Sequence, residues 1–422
     1  MIKGEKIRFD VHNILYSIFK LNKNLKDPYI KKIVATHKKE DISFINNVAL
    51  NSMRYSIHID RIIKEFALKK VGDHERILFV SAITQIVFLE FREYAVINCS
   101  VEIAKKLKIY HGFVNAFLKN ISRNKDRLKN TTIKFNDLPN WFKKETKSLS
   151  LLEKKKFIEN FNKAPDIHLV FKNNKNLKEF DEKIFETSDS SGFLLIKKDV
   201  KEIKSFIKGN WWVQDYSSFF PINNLPIKNT SKKFLDVCAA PGGKAFQILS
   251  KKFDVVLNDK SFERIKILKS NLNRLNFNVK ILNQDFTKFE DNNKYDCIII
   301  DAPCSSIGTI RRNPEIFFKN KKPDFLALNI IQKSMLEKAS LLLNKHGIIL
   351  YMVCSFLKRE TRDQINSFLK TRNNFKLYDF TLKNKDKENS KLIKNNVMIT
   401  LPDTIYNHKI DGYFAAYLEK IR

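Results

Sequence analysis

Asp301-Ala302-Pro303-Cys304-Ser305 ends the apolar run Tyr295 to Ile300, and Val353-Cys354-Ser355 ends the run Ile348 to Met352. Ring carbon C5 of cytosine is a poor nucleophile. A thiolate added at C6 turns C5 into an enamine-like carbon that can attack a sulfonium methyl. The adduct must then lose the C5 proton and release the thiolate, so one cysteine is required and a second proton-handling group is useful. A nearby lysine or helix N-terminus lowers a thiol's pKa. Lys244 and a helix expected to start near Leu357 are candidates. Either cysteine alone reads most simply as buried filler. Two of them, both past strand ends and both followed by serine, point instead to cysteine-dependent methyl transfer onto a pyrimidine ring. The loop Ser306 to Glu315 follows the first cysteine, and its adjacent Arg311 and Arg312 suit phosphate binding, with a solvated loop as the alternative.

The string Phe234-Leu235-Asp236-Val237-Cys238, followed by Ala239-Ala240-Pro241-Gly242-Gly243-Lys244, reads as strand, turn and helix start. Small residues let the backbone approach a ligand closely. One Gly-Gly pair stands where the dinucleotide fingerprint has spaced glycines, so a pyrophosphate cradle is not indicated. Such a turn can hold the amino-acid tail of S-adenosylmethionine. Asp259 closes the next strand, 16 residues after Gly243, where a carboxylate can accept both ribose hydroxyls. Asp285 ends the third strand, within reach of an adenine amino group. The alternative for Asp259 is a helix cap before Ser261-Phe262-Glu263. Three carboxylates at successive strand ends, above a small-residue turn, favour the site. The expected cofactor contacts are Asp236, Cys238, Ala239, Ala240, Pro241, Gly242, Gly243, Lys244, Asp259, Arg264, Asp285 and Asp301.

The elements that position these residues alternate from Lys232 onward. Strands are predicted at 234–237, 253–258, 279–283, 295–301, 348–353 and 375–378, with helices between them; Leu328, Ile331, Met335, Ala339 and Leu342 form one helix face. This pattern is that of an α/β doubly wound parallel sheet. Residues 1–130 read as an all-α bundle: Val11, Ile14, Leu15, Ile18 and Phe19 recur at helical spacing, as do Ile77, Leu78, Val80, Ile83, Val87 and Phe88. Lys129-Asn130-Thr131-Thr132 reads as a linker. Residues 131–228 read as a small α+β module, with strands at 167–171 and 193–196 and a helix at 151–161. The third domain is 229–422, in which Lys383–Asn396 reads as a solvated low-complexity loop.

The chain has 422 residues, 43% of them hydrophobic, enough for two or three cored domains. Its five cysteines, Cys99, Cys238, Cys297, Cys304 and Cys354, lie in apolar runs or motif turns, which reads as reduced thiols. There is no C-x-x-C pair or His/Cys cluster, so no metal is expected. Met1-Ile2-Lys3-Gly4-Glu5-Lys6 lacks an apolar signal core. No stretch approaches the ~18–20 apolar residues of a membrane span. A cytoplasmic monomer is expected. The net charge is +32, of which residues 1–130 carry +12, from 25 Lys and Arg against 13 Asp and Glu. Part of the excess reflects a Lys-, Asn- and Ile-rich composition of the kind AT-rich codons give. The rest makes nucleic acid the expected partner.

The strings Asp236 to Lys244, Asp301 to Arg312 and Cys354-Ser355, with Gln214-Asp215-Tyr216-Ser217-Ser218 and Asp411-Gly412-Tyr413-Phe414, resemble the RNA cytosine-C5 methyltransferases. The nearest type is the bacterial 16S rRNA enzymes with an N-terminal domain similar to the antitermination factor NusB. That domain is echoed by Phe44 to Val48 and Phe113 to Leu118. The resemblance covers nearly the whole chain. It implies a seven-stranded S-adenosylmethionine-dependent sheet whose last strand, Tyr413–Leu418, is antiparallel. It also implies Cys354 as nucleophile and Cys304 as helper in proton removal or product release. Asp301 and Lys244 would touch the target base or organise the cysteines, and Asp236, Asp259 and Asp285 would frame the cofactor. The family's Glu-Asn-Glu is here Glu360-Thr361-Arg362, its Thr before the cysteine is Val353, and its Thr after Gly-Gly-Lys is Ala245. Its Leu-Arg-Val-Asn strand is Leu169-Val170-Phe171-Lys172. A tRNA substrate, or a non-catalytic RNA-binding assembly factor on the same fold, are the alternatives.

Overall fold

The computed structural model describes residues 3–67, 70–187, 190–196, 199–380, 382 and 386–422. The chain divides into two compact units, residues 1–162 with 310–322, and residues 163–309 with 323–422.

The first unit is helical, with helices Lys3–Leu21, Pro28–Ala35, Lys39–Arg54, Ser56–Phe66, Asp73–Ile83, Glu93–Lys106 and His111–Arg123. Val11, Ile14, Leu15 and Ile18 are all buried, one stripe of the first helix. Residues Ile77 to Ile83 are buried on every side of their helix, which makes it the centre of the bundle. The helix continues into a π turn, Thr84–Phe88. Asp27 caps Pro28–Ala35 by accepting from the Tyr29 N–H, with proline at the first position.

The unit does not end at the polar stretch 129–132. Ile133 and Leu138 are buried, and a Ser150/Glu153 capping box opens the helix Leu151–Asn160. Phe142 stacks on Phe157 with ring centroids 4.8 Å apart. Residues Ile310–Lys322 complete this core: Phe317 lies edge-on to Phe142 at 5.0 Å, and Phe318 is buried among the bundle's aliphatic residues. Arg311, expected to meet phosphate, is fully buried instead. Its Nε donates to the Asn160 carbonyl at 3.0 Å, and its own carbonyl accepts from Arg54 at 3.2 Å. A guanidinium enclosed in this way serves packing; of the adjacent pair only Arg312 is exposed.

The second unit holds two main sheets. The smaller contains β1 (His168–Phe171), β2 (Ile184–Glu186), β3 (Ser191–Leu194) and β4 (Trp211–Val213), antiparallel in the order β2-β3-β1-β4. The larger contains β5 (Lys233–Asp236), β6 (Asp254–Asn258), β7 (Ile281–Leu282), β8 (Tyr295–Asp301), β9 (Leu343–Val353), β10 (Phe375–Leu377), β11 (Ile393–Lys394) and β12 (Val397–Thr400). After the hairpin β13 (Asp403–Ile405) and β14 (His408–Ile410), β15 (Tyr413–Lys420) returns antiparallel to β9. The order is β11-β12-β15-β9-β8-β5-β6-β7, with β10 also on β15, and β5 to β9 are parallel.

β8 and β9 read as unbroken apolar runs because both faces of the sheet are covered. Cys297, Ile299, Leu350 and Met352 pack on one side with Phe246, Ile248 and Leu268. Ile298, Ile300 and Tyr351 pack on the other with Met335, Leu336 and Ala339 of the helix Phe325–Leu342. On that helix Ile331, expected inside, is exposed, and Gln332 is buried in its place. The stretch expected as a solvated loop forms a short helix, Lys387–Ser390, and then β11; its first residues, 383–385, lie outside those described. An edge strand and a helix formed because Leu392 and Asn389 find buried partners that composition does not reveal. No helix among the described residues is long and apolar enough to cross a membrane.

Candidate active site

The strand order reverses beside β5, whose neighbours are β6 and β8. Ligands of open parallel sheets bind beyond the carboxyl ends of the strands at such a point. The turn 238–243 leaves β5 there. Gly242 has φ of 120°, and a Cβ on it would lie 2.0 Å from the Phe246 ring, so only glycine fits. The helix Gly243–Ser250 follows. Asp259, buried at the end of β6, accepts from the Ala240 N–H at 3.1 Å and the Ser261 N–H at 2.9 Å. The cap of the next helix is Ser261, which accepts from the Arg264 N–H, so Asp259 is not needed as a cap. Arg264 donates to the Ala240 carbonyl and lies 3.5 Å from the Asp259 carboxylate. The turn is thus pinned by two side chains from β6 and its helix.

Asp236 ends β5 and is buried, and neither of its carboxylate oxygens has a hydrogen-bond partner. Burial pushes its pKa up to about 7, with the Lys244 charge acting the other way. An unsatisfied buried carboxylate beside a narrow small-residue turn fits a ligand that brings its own donors. The ammonium and hydroxyl groups of S-adenosylmethionine are of that kind. Asp285 caps a short turn of helix, accepting from Thr287, and its other oxygen accepts from Lys260 at 2.7 Å. These bonds, Lys260 first, lower its pKa to about 2. Burial pushes the Cys238 thiol up.

The two cysteines of the motifs meet. β8 and β9 are adjacent and parallel, so the loops after Asp301 and Val353 run side by side. Cys304 Sγ and Cys354 Sγ are 3.2 Å apart, and all five cysteines are free thiols. The hydrogen bond between the thiols makes them unequal. It holds Cys304 well above the ordinary thiol range, aided by burial, and it draws Cys354 below that range. Ser306 Oγ, 3.4 Å from Cys354 Sγ, and the Lys244 charge act in the same direction on Cys354. Lys244 donates to Asp301 Oδ2 at 2.6 Å, and the Tyr413 hydroxyl donates to Oδ1 at 3.0 Å. Burial alone would lower the lysine's pKa, but Asp301 outweighs it and the net shift is upward.

Backbone bonds clip the loops together. Gly308 N–H donates to the Cys354 carbonyl at 3.0 Å, and Gly412 N–H donates to the Gly308 carbonyl at 2.9 Å. Every residue expected in the thiol site is therefore assembled in one place. Three contributors carry no assigned role in the sequence reading, Tyr413, Gln332 and Glu360, although Glu360 stands at the family's Glu-Asn-Glu position. Tyr413 sat in a recognised string. Gln332 had one signal, a polar residue inside an apolar helical pattern. Among the described residues no group of three or more His, Cys, Asp and Glu side chains could hold a metal ion.

Residues 224–419 match the family described as 16S rRNA methyltransferase RsmB/F, and residues 7–123 match the NusB family. A ribosomal RNA small subunit methyltransferase B from Shewanella oneidensis is 28% identical over 366 residues, covering 81% of this chain and 84% of that one. Another, from Photorhabdus laumondii, is 38% identical over 180 residues, 42% of each chain. The crystal structure of PH0851 superposes on the whole chain, at 100% and 99% coverage, with a TM-score of 0.72 and 20% identity. A methyltransferase homologue from Pyrococcus horikoshii covers 67% of this chain and 100% of its own, with a TM-score of 0.52 and 20% identity. These two structures share the fold. With its cofactor turn and these matches, the chain is an S-adenosylmethionine-dependent RNA methyltransferase, similar over residues 224–419 to the RsmB/F family and over residues 7–123 to the NusB family.

Proposed function

We propose that this chain methylates carbon 5 of a cytosine in 16S ribosomal RNA through a covalent bond between Cys354 and C6. The observation that carries this is the unequal pair of thiols 3.2 Å apart at adjacent strand ends. Cys354, with its lowered pKa, is the attacking sulfur. Its bond to C6 pushes electrons onto C5. S-adenosylmethionine, when bound, supplies the electrophilic methyl group; the turn 238–243 with Asp236, Asp259, Arg264 and Asp285 would hold it. Asp301, fixed at both oxygens by Lys244 and Tyr413, presents a rigid acceptor for the base's exocyclic amine. Cys304 keeps its proton while Cys354 is a free thiolate. Once Cys354 is bonded to C6 that hold is gone, and Cys304 releases its proton to solvent. The Cys304 thiolate then takes the proton from C5 as the C5–H electrons form the C5–C6 double bond and expel Cys354 as its thiolate.

The names of the relatives support ribosomal RNA as the substrate class, and the +32 charge suits any RNA. The test is transfer of labelled methyl from S-adenosylmethionine to purified 16S rRNA, with bisulfite mapping of the product. Label found in tRNA alone, or a C5 product made equally well by Cys354→Ala, sinks the proposal.

A further inference from the structure

Among the described residues Glu360 is the one carboxylate that hydrogen-bonds to both cysteine loops at the thiol site, and the chemistry above gives it no part. It is fully buried. Its Oε1 accepts from the Ser305 N–H at 2.8 Å and from Gln332 Nε2 at 3.4 Å. Its Oε2 accepts from the hydroxyls of Ser305 and Ser355, each at 2.6 Å. Ser305 follows Cys304 and Ser355 follows Cys354. Gln332 also donates to the Pro303 carbonyl at 2.9 Å, on the other side of Cys304. The Glu360 carbonyl accepts from Tyr351, three residues before Cys354, at 2.9 Å.

We infer that Glu360 is a positioning residue, a clamp that holds the Cys304 and Cys354 loops at the separation the two thiols need. The physical reason is desolvation. A buried carboxylate stripped of donors is strongly unfavourable, and this one draws its donors from both loops. The loops cannot part without leaving the charge unsatisfied. The two 2.6 Å hydroxyl contacts lie in the range of charge-assisted O–H···O⁻ bonds. The same negative charge also raises the Cys304 pKa, which keeps the proton on the thiol that donates to Cys354. The serines that follow the two cysteines thereby gain a structural role, since each ties its own loop to the clamp.

The inference rests on the thiol pair being the reacting pair, so its test needs a readout independent of methylation. Iodoacetamide alkylation of Cys354 in the full chain, followed by mass spectrometry of its peptide across a pH series, is such a readout. In Glu360→Gln one clamp oxygen becomes a donor facing two donor hydroxyls. The loops then relax, the bond from Cys304 is lost, and alkylation near neutral pH slows about tenfold, the weight of one hydrogen bond to a charged group. Removal of negative charge with the loops still in place has the opposite sign, because it lowers the thiol pKa and speeds alkylation. Unfolding speeds it too. Alkylation of Glu360→Gln that is unchanged or faster overturns the clamp. Ser355→Ala keeps the carboxylate and its other donors, and it carries the test if Glu360→Gln does not fold. It slows alkylation several-fold, and an unchanged rate again overturns the clamp. Affinity for S-adenosylmethionine stays at the wild-type value in both variants. Trapping with RNA containing 5-fluorocytosine separates the two ideas. A wild-type adduct that persists in Cys354→Ser sinks the functional reading, whereas a Cys354-dependent adduct with unaltered alkylation in both variants sinks the clamp alone.

Discussion

The contact between Cys304 and Cys354 pushes the first thiol's pKa up and the second's down, and under the proposed mechanism that difference makes Cys354 the attacking sulfur and Cys304 the later proton partner. Cys354→Ala abolishes turnover and leaves cofactor affinity within about twofold, because the thiol attacks the base and does not hold the sulfonium. Calorimetry with S-adenosylmethionine beside a methyl-transfer assay checks both halves. Cys304→Ala keeps the attacking thiol but removes the proton partner, so a ribonuclease-sensitive protein–RNA adduct accumulates on denaturing gels. Equal adduct in the double variant would count against the scheme. Asp236 makes a pH-dependent prediction. Its folded pKa of about 7 lies above the ordinary 3.8. The folded state therefore binds a proton that the unfolded chain has released, and stability from this group is lost as pH rises from the lower value through the upper. Asp236→Asn escapes that loss: it stabilises the cofactor-free protein by roughly 2–4 kcal/mol at about pH 8 and hardly at all near pH 4. Thermal melts at the two pH values test it. An equal gain at both would mean that Asp236 is satisfied by some other route.

At the scale of elements, both thiol strands were legible because apolar runs ending in short polar turns mark buried parallel strands. β8 was placed at its observed bounds, Tyr295–Asp301, and the core of β9 within Leu343–Val353. Partners that depend on tertiary contact were not legible. Ile331 was placed inside its helix by periodicity, but Gln332 takes the buried position because its amide has the Pro303 carbonyl to meet. The crossing of Gly308 and Gly412 is of the same kind. A Cβ on Gly308 would lie 1.8 Å from the Gly412 carbonyl oxygen and 3.0 Å from that of Cys354. Gly308→Ala must push two loops apart, which destabilises by about 1–3 kcal/mol or more. The loss of methyl transfer exceeds what the drop in melting temperature explains, since the displaced loop carries Cys354. A variant that unfolds earlier yet keeps full activity at low temperature would show that the crossing serves stability alone.

At the scale of the whole molecule, the domain boundary was the least legible feature, because a polar stretch at 129–132 resembles a linker whatever packs around it. The helical unit runs on to residue 162 and takes in Ile310–Lys322, a segment that begins six residues after Cys304. A chain cut at residue 130 keeps every cofactor residue, since the turn lies beyond 232, and from the sequence it is expected to bind S-adenosylmethionine unchanged. The structure argues otherwise. Removal of residues 1–130 strips the bundle from Phe318, which is 1% exposed. It also removes Arg54 from the Arg311 carbonyl. Each large apolar side chain so uncovered forfeits about 1.5–3 kcal/mol, a sizeable part of the roughly 5–15 kcal/mol that stabilises a domain. Residues 131–422 alone are therefore expected to melt several degrees lower, to aggregate, and to bind S-adenosylmethionine more weakly, because the uncovered segment continues directly into the Cys304 loop. In the full chain, Phe318→Ala reproduces part of the fall in melting temperature while leaving the charge of the helical unit intact. Melting curves and calorimetry on the truncated chain and on Phe318→Ala decide the matter. A truncated chain with the wild-type melting temperature and affinity would return residue 130 to the status of a true boundary, and would leave the burial of Phe318 without consequence.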